Sequence, residues 1–136
     1  MIPNFNTMVS KTRLYDAFGE LIYSIAVADG IVDPEEVEAL HKILAGHPWA
    51  KEIEWSFNYE LAKGNSLKDT YLKALETLKE NGPHPDFAYL IEVLEEVAKA
   101  KDGINSKEGR MISIFQKSLR AHFLEYLDQH GLWSND

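Results

Sequence analysis

The sequence predicts an all-α protein, a single-domain bundle of about six to seven helices made of two pseudo-symmetric helix–turn–helix halves. Two observations predict this class. Apolar residues recur at three- and four-residue spacing along most of the chain, which is the period of an amphipathic helix, whereas strand-like alternation is absent. An Asp-Gly turn that separates two helical patterns also occurs twice. Because 136 residues correspond to one domain, we expect a single unit over 1–136 with its core at about 12–130.

The first helical pattern follows residues 1–10, which show no periodicity and are expected to form an extended lead-in. Its apolar stripe consists of Leu14, Phe18, Leu21, Ile25 and Ala28. Asp29-Gly30 ends this helix, because glycine adopts without steric cost the left-handed conformation that closes a helix.

A second helix is predicted directly after this turn. Asp33 is placed to cap it, Pro34 suits its first position, and Glu36 completes a capping box three residues after the cap. Gly46 and Pro48 predict the end of the helix. The apolar face expected to be buried consists of Val37, Leu40, Ile43 and Leu44.

The middle of the chain is the least regular part. Residues 48–64 predict one or two short helices whose aromatic side chains fill the middle of the domain. The apolar residues of this segment are Trp49, Ile53, Trp55, Phe57, Tyr59 and Leu61. Ser66 then caps a third long helix, on which Asp69 and Lys73 are spaced to form an outward-facing ion pair. Residues 81–85, Asn-Gly-Pro-His-Pro, break the pattern.

The second half of the chain repeats the first. A helix that begins at Pro85 or Asp86 is expected to stop at 102–103, and the last helix to begin at Asn105 or Ser106. The halves align with an offset of 73 residues before the turn and 72 after it. The alignment pairs Leu21 with Leu94, Gly30 with Gly103, Asp33 with Asn105, and Glu36 with Glu108. Two such units stacked together bury apolar faces that neither could bury alone.

The two turns also concentrate acidic side chains. An EF-hand calcium loop is excluded, because the positions of its two earlier acidic ligands fall on Ile25 and Val27. A different cation site stays open, with Asp29, Asp33, Glu35, Glu36, Asp102 and Glu108 as candidate ligands. The alternative is structural: Asp29 belongs to a helix stop, Asp33 and Glu36 form a cap, and a helix N-terminus favours carboxylates over cations.

The stretch Ala28-Asp29-Gly30-x-Val32-x-x-x-Glu36, repeated in weaker form over 102–108, resembles the TerB-like domains, a family named for bacterial tellurite resistance. The similarity covers about 14–127. It implies two helical halves, no catalysis, a link to tellurite and other chemical stress, and a divalent cation held at the acidic turns. The ligands that the resemblance implies are Asp29, Asp33, Glu36, Asp102 and Glu108. The chain departs from the family pattern at Lys101 and Asn105, and a lysine there weakens a cation site at the second turn.

Three tryptophans are candidate interaction residues, because tryptophan is enriched at binding hot spots. They are Trp49, Trp55 and Trp133. Packing in the core is the expected alternative for Trp49 and Trp55, whereas Trp133 is expected to be exposed.

Composition narrows the classes of function. Fourteen basic and twenty-two acidic residues give a formal net charge of −8, which disfavours nucleic acid and anionic membranes as partners. The absence of cysteine excludes disulfides and thiolate sites. The chain shows no signal-peptide pattern and no apolar run of the ~20 residues that span a bilayer. We therefore expect a cytoplasmic protein that is not itself a membrane protein.

Catalytic motifs do not stand out. The sequence has no His-Glu-x-x-His pair, no Gly-x-Ser-x-Gly elbow and no phosphate-binding glycine loop. His41 and His122 are expected near the apolar faces of their helices, and His84 in an exposed loop. The expectation is a protein without enzymatic activity, whereas a deep pocket that holds two carboxylates of strongly shifted pKa would indicate an enzyme.

Two functions remain after these exclusions. The first, implied by the resemblance, is a non-enzymatic TerB-like protein of the tellurite or chemical stress response, with a divalent cation as its cofactor. The second is a metal-free interaction module that docks a partner protein or membrane complex through the groove between its halves or its aromatic middle segment. The expected partners are other stress-response or membrane-complex proteins, and the oligomeric state stays open.

Overall fold

The structure is a computed structural model that describes residues 5–28, 30, 32–100 and 106–129. These residues form six α-helices and no strand, which confirms the prediction of an all-α bundle of about six to seven helices. The helices are α1 (Phe5–Ala26), α2 (Pro34–Leu44), α3 (Ala50–Lys63), α4 (Leu67–Glu80), α5 (Phe87–Lys99) and α6 (Ser106–Gln129). None of these helices combines the length and apolar content needed to cross a bilayer.

Helix α1 is the central element and packs against α3, α4, α5 and α6. It is buried on nearly all sides because its second half is almost continuously apolar. Its buried apolar residues are Leu14, Tyr15, Ala17, Phe18, Leu21, Ile22, Tyr23, Ile25 and Ala26. The expected extended lead-in over 1–10 is wrong from Phe5 onward, where α1 already begins. Lengthening an established helix requires no new nucleation, so residues without periodicity can join it.

The predicted helix caps around α2 and α4 are confirmed. Asp33 is the N-cap of α2, and its backbone N–H donates to Oε1 of Glu36 at 3.1 Å, in a reciprocal capping box. Gly46 follows the end of α2 with a φ of +88°, a conformation that favours glycine. The Ser66 hydroxyl accepts the backbone N–H of Asp69 at 3.1 Å and caps α4.

Helix α3 corrects the expectation for the middle segment. It is one helix of 14 residues rather than one or two short ones, and its aromatic residues do not all face inward. Ile53 and Phe57 lie four residues apart and are buried, whereas Trp55 and Tyr59 lie on the other side and are exposed. The helical period therefore divides the aromatic residues between core and surface.

The two predicted repeat units pack crosswise, with α2 against α5 and α6 against α1. Residues paired by the repeat have similar burial: Leu21 and Leu94 are both buried, and so are Leu40 and Ile112. If the unit α1–α2 is exchanged with the unit α5–α6, the α2–α5 contact becomes the α6–α1 contact. Helices α3 and α4 lie between the units in sequence and cover α1.

The α1–α3 contact is unusually close at Gly19. A Cβ atom at this position would lie 2.5 Å from the carbonyl oxygen of Ile53 and 2.8 Å from the backbone nitrogen of Phe57. One turn earlier on α1, the Ser56 hydroxyl donates to the backbone oxygen of Asp16 at 2.6 Å. Glycine and serine thus let the two helix backbones touch and bring their polar side chains together.

Candidate functional site

The acidic residues predicted as metal ligands have different positions in the structure. Asp29 and Asp102 lie outside the described residues. Glu36 and Glu108 each occupy the third position of a helix, and they are only 0% and 1% exposed. Asp33 belongs to the cap of α2. Among the described residues, no group of three or more histidine, aspartate or glutamate side chains is arranged to hold a metal ion.

The candidate tryptophans also differ in their surroundings. Trp49 is partly buried and stacks on Tyr15, with ring centroids 4.9 Å apart. Trp55 is 57% exposed and stacks on Tyr59 at 5.4 Å, so the expectation that it packs in the core is wrong. Trp133 lies outside the described residues. We refer to Trp55 and Tyr59 as the aromatic stripe of α3.

An open groove of about 540 Å³ lies between α2 and α3. Val37, Leu40 and Phe57 provide its apolar wall. Glu54 and Asn58 line it from α3, and each directly precedes a residue of the aromatic stripe in sequence. The stripe therefore lies on the neighbouring face of α3 and is not part of the groove lining. A partner in the groove meets the exposed aromatic rings if it also extends around α3 to this neighbouring face.

A hydrogen-bonded pair joins the two sides of this groove. Nδ1 of His41 on α2 lies 2.7 Å from Oε1 of Glu54 on α3. His41 is exposed, which corrects the expectation that it lies near an apolar face. Its neighbour in sequence, Leu40, takes the buried position instead. The pair provides a polar edge beside the apolar wall.

A second polar site joins α1, α3 and α4, and it was not predicted from the sequence. We refer to Asp16 and Glu20 of α1 with Glu52 and Glu60 of α3 as the carboxylate cluster. Nζ of Lys73 on α4 lies 3.3 Å from Oε1 of Glu20 and 3.8 Å from Oε1 of Glu60.

The predicted ion pair between Asp69 and Lys73 is wrong, because Lys73 pairs with Glu20 and Glu60 instead. Glu20 and Glu60 are only 7% and 2% exposed, and buried carboxylates gain more from a cation than an exposed one does. A signal was available in the sequence, because Glu20 lies directly before Leu21 in the mostly apolar segment 17–26.

The carboxylate cluster holds more negative charge than Lys73 can neutralise. Burial raises the pKa of Asp16 to about 7, and a hydrogen bond to Glu52 and the charges of Glu52 and Glu20 act in the same direction. Burial also raises the pKa of Glu20, against the opposing effect of Lys73. A hydrogen bond between two carboxyl groups requires a proton on one of them. Asp16 therefore holds a proton at acidic pH and can donate it to Glu52.

A small pocket of about 130 Å³ lies beside the carboxylate cluster. Glu60, Asp69 and Lys73 line it, together with the start of α4. Sites for drug-sized ligands measure ~300–1,000 Å³. Asp16 and Glu20, whose pKa values are raised, are not part of its wall. This pocket is therefore not the deep cavity with two carboxylates of shifted pKa that would indicate an enzyme.

A third polar network connects α1 to the ends of two other helices. Asp86, the N-cap of α5, accepts the Tyr15 hydroxyl at 2.6 Å on Oδ2, and Nε2 of His47 lies 3.2 Å from the same oxygen. The Tyr15 hydrogen bond lowers the pKa of Asp86 most, while burial raises the pKa of Tyr15. Nδ1 of His47 accepts the backbone N–H of Trp49. Both ring nitrogens of His47 are thus engaged in holding the fold.

Comparisons of the chain with protein-family models, with curated proteins and with solved structures found no match. The resemblance to TerB-like domains consequently rests on the motif at 28–36 and its weaker copy at 102–108. Family membership and the function that it implies stay proposals.

Proposed function

We propose that the protein is a non-enzymatic helical interaction module that docks a helical segment of a partner protein in the α2–α3 groove. The observation that carries this proposal is the exposed aromatic stripe beside an apolar groove. Trp55 and Tyr59 stack on each other rather than on the core, so folding alone does not account for them. Aromatic side chains on a surface are the commonest anchors of protein interfaces.

The groove fits an amphipathic helix as its occupant. Its walls are themselves two helices, and a third helix laid between them would place apolar residues at positions i, i+3 or i+4, and i+7. Val37 and Phe57 would meet these residues inside the groove. The His41–Glu54 pair and Glu38 lie at polar positions of the lining and would orient the polar flank of the partner.

This docking proposal is tested with a displayed library of amphipathic helical peptides selected on the parent protein. We expect a class of selected peptides whose affinity falls at least about tenfold, or ~1.4 kcal/mol, when Trp55 and Tyr59 are both replaced by alanine. Both side chains are exposed, so the variant should fold. Leu72→Ala on α4, also an exposed apolar residue, is the matched control and should leave that class unaffected. Recovery of only those peptides that bind the double variant as well as the parent would contradict the proposal.

The second candidate is a cytoplasmic TerB-like protein of the tellurite or chemical stress response that binds a divalent cation at the acidic turns. It is favoured by the matching burial of Glu36 and Glu108 at the same helical position, since nothing in a surface cap requires a glutamate to be buried. Its partners would be stress-response or membrane-complex proteins.

Glu36→Gln distinguishes a cation ligand from a helix cap. Glutamine still serves in a capping box, so the free energy of unfolding should change little, whereas cation binding should be lost. Calorimetric titration of the metal-stripped protein with Ca²⁺, Mg²⁺, Mn²⁺ and Zn²⁺ measures the effect. Binding tighter than about 100 μM, worth ~5.5 kcal/mol, that disappears in the variant would support the cation site. Flat titrations of the parent with all four ions would rule it out.

A further inference from the structure

A second apolar groove lies between α4 and α6, away from the residues that line the α2–α3 groove. It measures about 240 Å³, and its lining includes Tyr71 and Leu72 of α4 and Met111 and Ile114 of α6. Leu72 and Ile114 are 49% and 55% exposed. They are two of the few large apolar side chains on the described surface, and they lie on opposite walls of one groove.

Basic side chains surround this groove. Lys68 is part of its lining, four residues before Leu72. On α6, Lys107 lies seven residues and Arg110 four residues before Ile114. Lys117 lies three residues after it, so all three share the helix face of Ile114. All four are exposed, and none of them forms an ion pair within the described residues. The exposed Asp69 and Glu76 are the acidic residues next to Leu72 on α4, three residues before it and four after it.

This local charge is opposite to that of the whole protein. The chain has a formal net charge of −8, yet the surface around Leu72 and Ile114 has four basic side chains against two acidic ones, and none of the four forms an ion pair within the described residues. Complementary potential selects partners and orients them. An apolar groove between helices, bordered by such cations, complements a helix with an apolar stripe and acidic flanks.

We propose that the α4–α6 groove is an interaction site for an acidic amphipathic helix of a partner protein. Apolar side chains of that helix fill the space between Leu72 and Ile114, and its aspartates and glutamates face Lys68, Arg110 and Lys117. The site is separate from the α2–α3 groove, where Glu38 and Glu54 are part of the lining. The two grooves therefore select helices of different charge.

The observations favour a protein helix over a lipid surface or a nucleic acid. The apolar side chains line a concave space between two helices, which a helix can enter and a flat bilayer cannot. The remaining negative charge of the chain opposes approach to anionic lipid. Phosphates of a nucleic acid would gain from the lysines but not from the apolar groove, which has almost no polar surface.

The displayed library of helical peptides also tests this site, when the binding of the selected peptides is compared between the parent and variants of the α4–α6 groove. Peptides that bind the parent but not the Ile114→Glu variant are expected to be rich in Asp and Glu beside their apolar stripe. Their affinity, measured by fluorescence anisotropy, should fall at least about tenfold in the Arg110→Glu, Lys117→Glu double variant and should weaken as salt rises. All three positions are exposed, and circular dichroism confirms that the variants fold.

Controls separate this proposal from the α2–α3 docking site. The same acidic peptides should bind the Trp55→Ala, Tyr59→Ala variant as tightly as the parent. The proposal for one groove can therefore be contradicted while the proposal for the other holds. Enrichment of neutral or lysine-rich peptides among those lost in Ile114→Glu would overturn the acidic-helix assignment. So would co-sedimentation of the parent with phosphatidylserine vesicles that is lost in Ile114→Glu, because the face would then be a lipid-binding surface.

Discussion

Replacing Gly19 by alanine should lower the free energy of unfolding by about 3 kcal/mol. At most interior helix positions the same change stabilises by ~1 kcal/mol, because alanine is the better helix former. Here the new methyl group would lie 2.5 Å from the Ile53 carbonyl oxygen, 2.7 Å from Cβ of Ser56 and 2.8 Å from the Phe57 nitrogen. Two of these three atoms belong to the backbone of α3, which cannot rotate away. Helix α3 must move off α1.

Urea-induced unfolding of the parent and the Gly19→Ala variant measures this effect. Ala121→Gly is the control for helix propensity, because Ala121 is exposed on α6. It should cost only the intrinsic ~1 kcal/mol of glycine in a helix. A Gly19→Ala protein as stable as the parent would show that α1 and α3 are not in backbone contact.

Replacing Asp16 by asparagine should make the protein more stable than the parent at pH 8, and the difference should vanish toward pH 4. The pKa of Asp16 is raised from 3.8 to about 7, so the folded protein holds the proton more tightly than the unfolded chain. Stability from this group is present below about pH 4 and is lost as the pH rises to about 7. Asparagine never ionises, and its amide can donate to Glu52 at any pH. Because the site is partly exposed and screened, we expect a gain of roughly 1–2 kcal/mol at pH 8.

Denaturation of both proteins at several pH values between 4 and 8 tests this prediction, and the difference between them cancels titrations elsewhere in the chain. Glu52→Gln replaces the other partner of the hydrogen bond and should produce a difference with the same pH dependence. A stability difference between parent and Asp16→Asn that stays constant over this range would mean that folding does not raise the pKa of Asp16.

Local sequence signals predicted the helices and their ends well. The capping box at Asp33 and Glu36 and the cap at Ser66 depend on residues a few positions apart, so they can be recognised without tertiary information. The start of α1 at Phe5 was missed, because apolar periodicity reports burial rather than helix content. Likewise, the exposure of Trp55 depends on which face of α3 meets α1.

The candidate sites were predicted only in part, because their members come from distant parts of the chain. The α2–α3 groove needs the angle and spacing of two helices, and neither follows from periodicity. The choice of Lys73 between Asp69 and the buried Glu20 depends on α1 lying against α4. The basic surface around Ile114 was hidden by the overall negative charge, because net charge says nothing about where charges gather.

The sequence by itself determined the all-α class, the repeat of two helical units and the caps of α2 and α4. These features arise from interactions within about one helical turn, whose geometry is the same in any helical protein. Only the tertiary structure decided that α1 is central, that the ammonium group of Lys73 meets the buried carboxylates of Glu20 and Glu60, and that two grooves of different charge lie open. The physical reason is that burial and electrostatic energy depend on distances between helices, and chain folding sets those distances after local structure is chosen.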